Sequence, residues 1–214
     1  MSGRTKAAKI VAEFLGTAIL TLVVLTIAKS TLGLPYFIAL AAGLALAVLV
    51  LVFKPVSGAK LNPAITVGLW SARRLSTMAA VVYVAAELAG GAAAYLLFSY
   101  IVGQHWSNVG HYSGKILVSE AVGTFIFSLA WAAAVYNKED KGKFAAFAGI
   151  GFAVGILAAS QLASGILNPA VALGLREWGW GTYVLGPVLG AVIGFNGYAL
   201  LFATPEKKSS AKKK

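Results

Sequence analysis

Six stretches of this chain, 10–28, 36–53, 79–102, 116–136, 144–162 and 182–203, are almost wholly apolar. A helix needs roughly 20 residues to cross a hydrocarbon core of about 30 Å, and each stretch is close to that length. Lipid offers the backbone no hydrogen bonds, so apolar stretches of this kind must wind into helices that satisfy their own. The six spans take up most of the 214 residues. Only 12% of residues are charged, where a soluble domain carries about 25%. The expectation is an all-α membrane protein with one domain over residues 10–203, a short segment 1–9 before it and a basic tail 204–214 after it. Stretch 10–28 is too long for a signal peptide's apolar region and lacks a convincing cleavage site, so it reads as a retained first span.

A net charge of +11 could point to nucleic acid, but its placement argues against that. With six spans, 15 Lys and Arg residues fall at one end of the bundle and only Lys29, Lys115 and Arg176 at the other. That asymmetry predicts both termini on the cytoplasmic side of an integral membrane protein, with the cell membrane as its expected location. The tail lysines 207, 208 and 212–214 suit either anionic lipid headgroups or a solvated, disordered end. The chain has no cysteine, which excludes disulfides, thiolate metal sites and thiol catalysis.

The two halves resemble each other. Ala12-Glu13-Phe14-Leu15-Gly16-Thr17 recurs as Ser119-Glu120-Ala121-Val122-Gly123-Thr124, and the glutamates are 107 residues apart. Ser57-Gly58 leading to Asn62-Pro63-Ala64 recurs as Ser164-Gly165 leading to Asn168-Pro169-Ala170, with the asparagines 106 apart. Each half holds three spans, an odd number, so the second enters from the opposite side. The repeats, about 10–102 and 116–203, are therefore inverted, which tends to put the functional site at the midplane where they meet.

Asn is a preferred N-cap, and Pro fits the first helical position, so each Asn-Pro-Ala predicts a helix start. The apolar runs that follow, 63–72 and 169–177, are each about 14 Å long as helices, half a bilayer. The expected fold is thus six transmembrane helices plus two half-helices that meet N-terminus to N-terminus. Both would bring the positive ends of their macrodipoles to the midplane. The Asn62 and Asn168 amides could donate to a passing solute while their carbonyl oxygens cap the helices. Water oriented in this way cannot relay protons, and the positive field repels cations. Such a site suits neutral, hydrogen-bonding solutes. Glu13 and Glu120 lie inside spans, and each could accept backbone N–H groups from the non-helical segment ahead of a half-helix. No chain of titratable groups links them, so a scaffold role is preferred to a proton relay. Glu87 is a third carboxylate within a span.

These residues resemble the major intrinsic protein family of aquaporins and aquaglyceroporins. The match runs from about residue 10 to 203 and includes Ala12-Glu13-Phe14 with Gly16-Thr17, both Asn-Pro-Ala motifs, Thr66, and Gly186-Pro187 with Gly190-Ala191. The resemblance implies a pore in every monomer and a homotetramer. It also shows where this chain departs. Family members usually carry Arg directly after the second Asn-Pro-Ala, in a narrow outer filter; here that place is Val171. By the same correspondence the other filter positions are Ala42, Ile156 and Gly165, an apolar and uncharged set. Lys60 stands where the family often has His, and Glu87 where it often has Gln. Lys60 at the cytoplasmic mouth either snorkels to headgroups, the preferred reading, or adds a positive barrier.

His105 and His111 share a loop with no third ligand in view, so no metal site is expected. No cofactor is expected, and no phosphate loop or nucleophile-base pair appears, which argues against an enzyme. Trp106, Trp178, Trp180 and Tyr183 read as interfacial residues. Gly151 with Gly155, and Gly186 with Gly190 and Gly194, read as close-packing faces. The leading function is a passive channel for water and small neutral solutes such as glycerol. A secondary transporter would also use inverted repeats and broken helices, but the midplane offers no carboxylate for ion coupling. A closed-pore structural protein is the third class.

Overall fold

The computed structural model describes residues 3–106, 110, 112–161, 165–177 and 179–204. His111, Trp178 and the tail lysines lie outside them. The described residues form helices and connecting segments with no strand: α1 (Gly3–Ala28), α2 (Pro35–Ser57), α3 (Pro63–Ser71), α4 (Thr77–Val102), α5 (Gly114–Tyr136), α6 (Lys141–Ala159), α7 (Pro169–Leu175), α8 (Trp180–Tyr183) and α9 (Leu185–Leu201). Among the described residues six spans are long and apolar enough to cross a membrane, the last running from Trp180 to Leu201 through α8 and α9. α3 and α7 are the two short helices that begin at Asn-Pro-Ala.

Helix ends follow local chemistry. Ser76 and Ser113 cap α4 and α5 by accepting the backbone N–H of Ala79 and Ile116. Asp140 accepts from Gly142 and Lys143 and starts α6 at Lys141, three residues before the apolar run 144–162. That polar first turn is why hydropathy alone placed this helix late. Its far end stops at Ala159, with Ser160 as the C-cap and its hydroxyl donating to the Ile156 carbonyl at 2.6 Å. Helix α1 likewise reaches back to Gly3, through basic residues expected to precede it.

α1, α2 and α4 form one half; α5, α6 and α9 form the other. Within each half the helices touch through glycine. A Cβ on Gly90 would sit 3.1 Å from Ala18 N on α1, and one on Gly186 would sit 2.7 Å from the Leu117 carbonyl on α5. Gly190 and Gly194 continue that face against Ala121 and Ser128. Gly155 packs on the Gly123 carbonyl at 2.5 Å by the same measure, and Gly151 on Ala130. The halves meet at α2 and α6, where Gly43 and Gly149 face each other's carbonyls at 2.7 and 2.5 Å from a hypothetical Cβ.

The half-helices are exchanged. α3, from the first half, packs on α9 through Gly68, with Phe195 and Ala191 against it. α7, from the second, packs on α4 and α1 through Gly174, Gly91 and Thr21. Phe127, Trp131 and Phe152 fill the core between α5 and α6. Tyr183 belongs to this core at 7% exposure, which corrects its reading as an interfacial residue. The short α8 turns that ring inward against α5, while Trp180 stays exposed.

Candidate functional site

Each half-helix begins with its asparagine in an extended conformation, Asn62 at φ −160° and Asn168 at φ −145°. Asn62 Oδ1 accepts the Ala64 N–H at 2.8 Å, and Asn168 Oδ1 accepts those of Ala170 at 3.0 Å and Val171 at 3.4 Å. Pro63 and Pro169 follow, at a helical position that has no N–H to lose. Each amide nitrogen then reaches across the molecule. Asn62 Nδ2 donates to the Leu167 carbonyl and Asn168 Nδ2 to the Leu61 carbonyl, both at 2.9 Å. An asparagine amide carries two hydrogens, so one remains on each side chain for a solute.

The segments ahead of the asparagines have matching backbones. Ala59 and Leu61 lie in the left-handed region at φ 51° and 52°, and Gly165 and Leu167 at φ 60° and 55°. For a residue with a Cβ this conformation costs roughly 1–2 kcal/mol. The carboxylates offset that cost. Glu13 accepts Lys60 N–H at 3.3 Å and Leu61 N–H at 2.8 Å; Glu120 accepts Ile166 N–H at 2.9 Å and Leu167 N–H at 2.7 Å. Consecutive N–H groups converging on one anion form a nest, and both glutamates are fully buried in theirs.

The side chain of Lys60 contradicts both sequence readings of it. It is only 4% exposed, so it does not snorkel to headgroups. Its Nζ turns back 2.9 Å from Glu13 Oε1 and 2.6 Å from the Ser57 carbonyl, over the Tyr83 ring at 4.3 Å. A bare positive barrier is also excluded, because the partner carboxylate offsets the ammonium. The reason is electrostatic: a nearby buried anion outcompetes a distant headgroup. Glu87, on α4, accepts the Thr66 hydroxyl of α3 at 2.6 Å and is fully buried.

On the other side of the asparagines lies a cavity of about 250 Å³. Of the four filter positions inferred from sequence, Ile156, Gly165 and Val171 line it together. Ala42 does not: it is fully buried, and Ile38, one turn earlier on α2, reaches the cavity with Phe152 and Val24. An alanine side chain ends at Cβ, which leaves the wall to its longer neighbour. Gly165 sits where a Cβ would meet the Ile156 carbonyl at 2.6 Å, so the backbone itself forms part of the wall. Lys29 and Glu177 also line the cavity. Sequence spacing could not find these two, because they come from separate loops. The guanidinium of Arg176 lies 4.8 Å from the Tyr95 ring, and this arginine is not part of the lining. The described residues contain no cluster of three or more His, Cys, Asp or Glu able to hold a metal.

This geometry, with two capped half-helices joined head to head inside an inverted repeat, defines a membrane channel. The family model described as "Major intrinsic protein" matches residues 2–198, and the chain belongs to that family. It is 31% identical over 183 residues to a probable aquaporin of Archaeoglobus fulgidus, covering 75% of this chain and 74% of the relative. It is 30% identical over 204 residues to a glycerol uptake facilitator-like protein of Lactiplantibacillus plantarum, covering 86% and 94%. Among solved structures, the aquaglyceroporin from Plasmodium falciparum shares the fold at a TM-score of 0.75, with 22% identity over 91% of this chain and 96% of that one. The chain is therefore an integral membrane channel of the aquaporin and aquaglyceroporin family, and not an enzyme.

Proposed function

We propose that this channel conducts water and small neutral solutes of glycerol's size, and excludes protons and cations at the paired Asn-Pro-Ala motifs. The observation that carries the proposal is the crosswise asparagine pair, which fixes both amides while leaving each one hydrogen for a solute. A solute that accepts from both amides is oriented by them, and the half-helix N-termini disfavour positive charge at the same level. The wide solute range is supported by Val171 in the lining and by Arg176 turned to Tyr95. The similarity to a protein named as a glycerol uptake facilitator points the same way.

In this reading Glu13 and Glu120 hold the two segments that carry the asparagines. Ile156, Gly165 and Val171, with Ile38 in the place first assigned to Ala42, form the outer constriction. Lys60 lies toward the cytoplasmic mouth as half of an ion pair. The channel works as a homotetramer in the cell membrane, with both termini cytoplasmic. Stopped-flow light scattering on proteoliposomes, with sucrose and then glycerol gradients, tests the proposal. Rapid shrinkage in both, followed by reswelling in glycerol, is the expected result. Water passage with complete glycerol exclusion would refute the wide filter.

A further inference from the structure

The cluster around Lys60 has one more carboxyl group than its buried charge can balance. α1 and α4 pack side by side, with Gly90 of α4 against Phe14, Thr17 and Ala18 of α1. Both helices run in the same direction through the bundle, since one intact span separates them. Glu13 and Glu87, just ahead of Phe14 and Gly90 on their helices, therefore lie at the same level. Both carboxyls are fully buried and hold the same stretch of chain, Glu13 through the N–H groups of Lys60 and Leu61 and Glu87 through the Thr66 hydroxyl. Lys60 completes the group, bonded to Glu13 Oε1 at 2.9 Å and resting on Tyr83, one turn from Glu87.

The other neighbours bring no compensating charge. α3 and α7, which both pack on α4, contain no ionisable carboxyl, amine or guanidinium in their sequences. On α1 the nearest further cation is Lys9, one turn from Glu13 and half-exposed. Glu87 Oε1 accepts from Thr66, while Oε2 is buried and meets no N–H or hydroxyl donor among the described residues. Two carboxylates buried at one level of packed helices repel, and neither can donate to the other. A single proton between them turns that repulsion into a hydrogen bond and brings the three side chains to zero net charge.

We propose that Glu87 is a resident proton-binding site: it is held as a carboxylic acid that donates to Glu13, so that Glu13, Glu87 and Lys60 form a neutral buried cluster beside the first half-helix. Glu87 is then a positioning residue. Its carbonyl oxygen holds Thr66 on α3, and its O–H holds the carboxylate that shapes the segment ahead of Asn62. A glutamine would present the same acceptor and a permanent donor, which makes Glu87→Gln the conservative replacement. The inference does not depend on which solute crosses the channel.

Infrared difference spectroscopy on the full-length reconstituted protein tests it, because a buried carboxylic acid has a C=O band separate from carboxylate and amide bands. At neutral pH the wild type should show a protonated-carboxyl band that shifts in D₂O and is lost or reduced in Glu87→Gln. Glu120 contributes equally to both proteins and cancels in the difference. Lys60→Met is the second variant: with the ammonium gone, neutrality calls for another proton, and the band should grow. A band unchanged in Glu87→Gln overturns the proposal, as does a Lys60→Met spectrum with no added carboxylic acid. A purely structural role for Glu87 would leave both spectra unmoved.

Discussion

Asn62 and Asn168 are tied crosswise, each donating its side-chain amide at 2.9 Å to the carbonyl just ahead of the other. The tie joins two segments 106 residues apart and makes each helix cap depend on the opposite half. Asn168→Ala removes a cap and half of the tie, and should cost about 1–3 kcal/mol. Asn62→Ala should cost a similar amount. The double variant should lose less than the sum, because either single change already disturbs the shared geometry. Thermal unfolding in detergent, followed by tryptophan fluorescence, measures the coupling.

Glu120→Gln keeps the shape of the side chain but leaves one acceptor oxygen for the two N–H groups of Ile166 and Leu167. The unsatisfied N–H should destabilise the protein by about 1–3 kcal/mol. Leu167 should then relax from its left-handed conformation, which displaces the carbonyl that receives Asn62. Reduced osmotic permeability together with a lowered melting temperature is the expected pair of results. A lowered melting temperature with unchanged permeability would separate the carboxylate from the pore.

Much of this site was legible in the sequence, for a physical reason. A carboxylate inside a span and a non-helical segment ahead of an Asn-Pro-Ala each have unmet electrostatic needs, and the repeat pairs them twice. Glu120 with Ile166 and Leu167 illustrates that logic. Lys60 shows its limit. The backbone matches at Lys60 and Ile166, but a long side chain can turn in several directions, and only packing brings it to Glu13. Ala42 was misplaced for a related reason: spacing fixes a level along a helix, while side-chain length decides which neighbour reaches the cavity. Tyr183 depended on the short helix α8, which hydropathy merges into the last span.

Val171→Arg introduces a cation among the apolar side chains of Ile38, Phe152 and Ile156 in the cavity lining. The longer side chain should narrow the constriction and slow glycerol roughly tenfold, an added barrier of about 1.4 kcal/mol. Water should be less affected, since it is smaller. The ratio of glycerol to water permeability in paired stopped-flow traces reports the change. A ratio equal to that of the wild type would mean that another part of the pore limits glycerol.

Gly43→Ala probes the seam between the halves. Its new Cβ would meet the Gly149 carbonyl at 2.7 Å and the Ala153 side chain at 2.8 Å, closer than packed atoms approach. Separating α2 from α6 to relieve the clash should cost about 1–3 kcal/mol. Gly103→Ala is a control for the packing argument, because nothing lies within 4 Å of its Cβ position. It carries only the strain of its φ of 68°. Melting temperatures of the two variants should therefore rank with Gly43→Ala lower.

The exchange of short helices also governs the order of assembly. During synthesis α3 emerges early, but the surface that clasps Gly68 belongs to Ala191 and Phe195, near the end of the chain. The first three spans can cross the bilayer, yet they lack the partner that holds α3 and the Leu167 carbonyl that receives Asn62. α7 arrives to find its seat on α1 and α4 already built. Closure is thus a late, long-range event that waits for the last helix. A ribosome that stalls before residue 191 has made the first five spans and both half-helices, yet α3 still lacks the surface on α9 that clasps it.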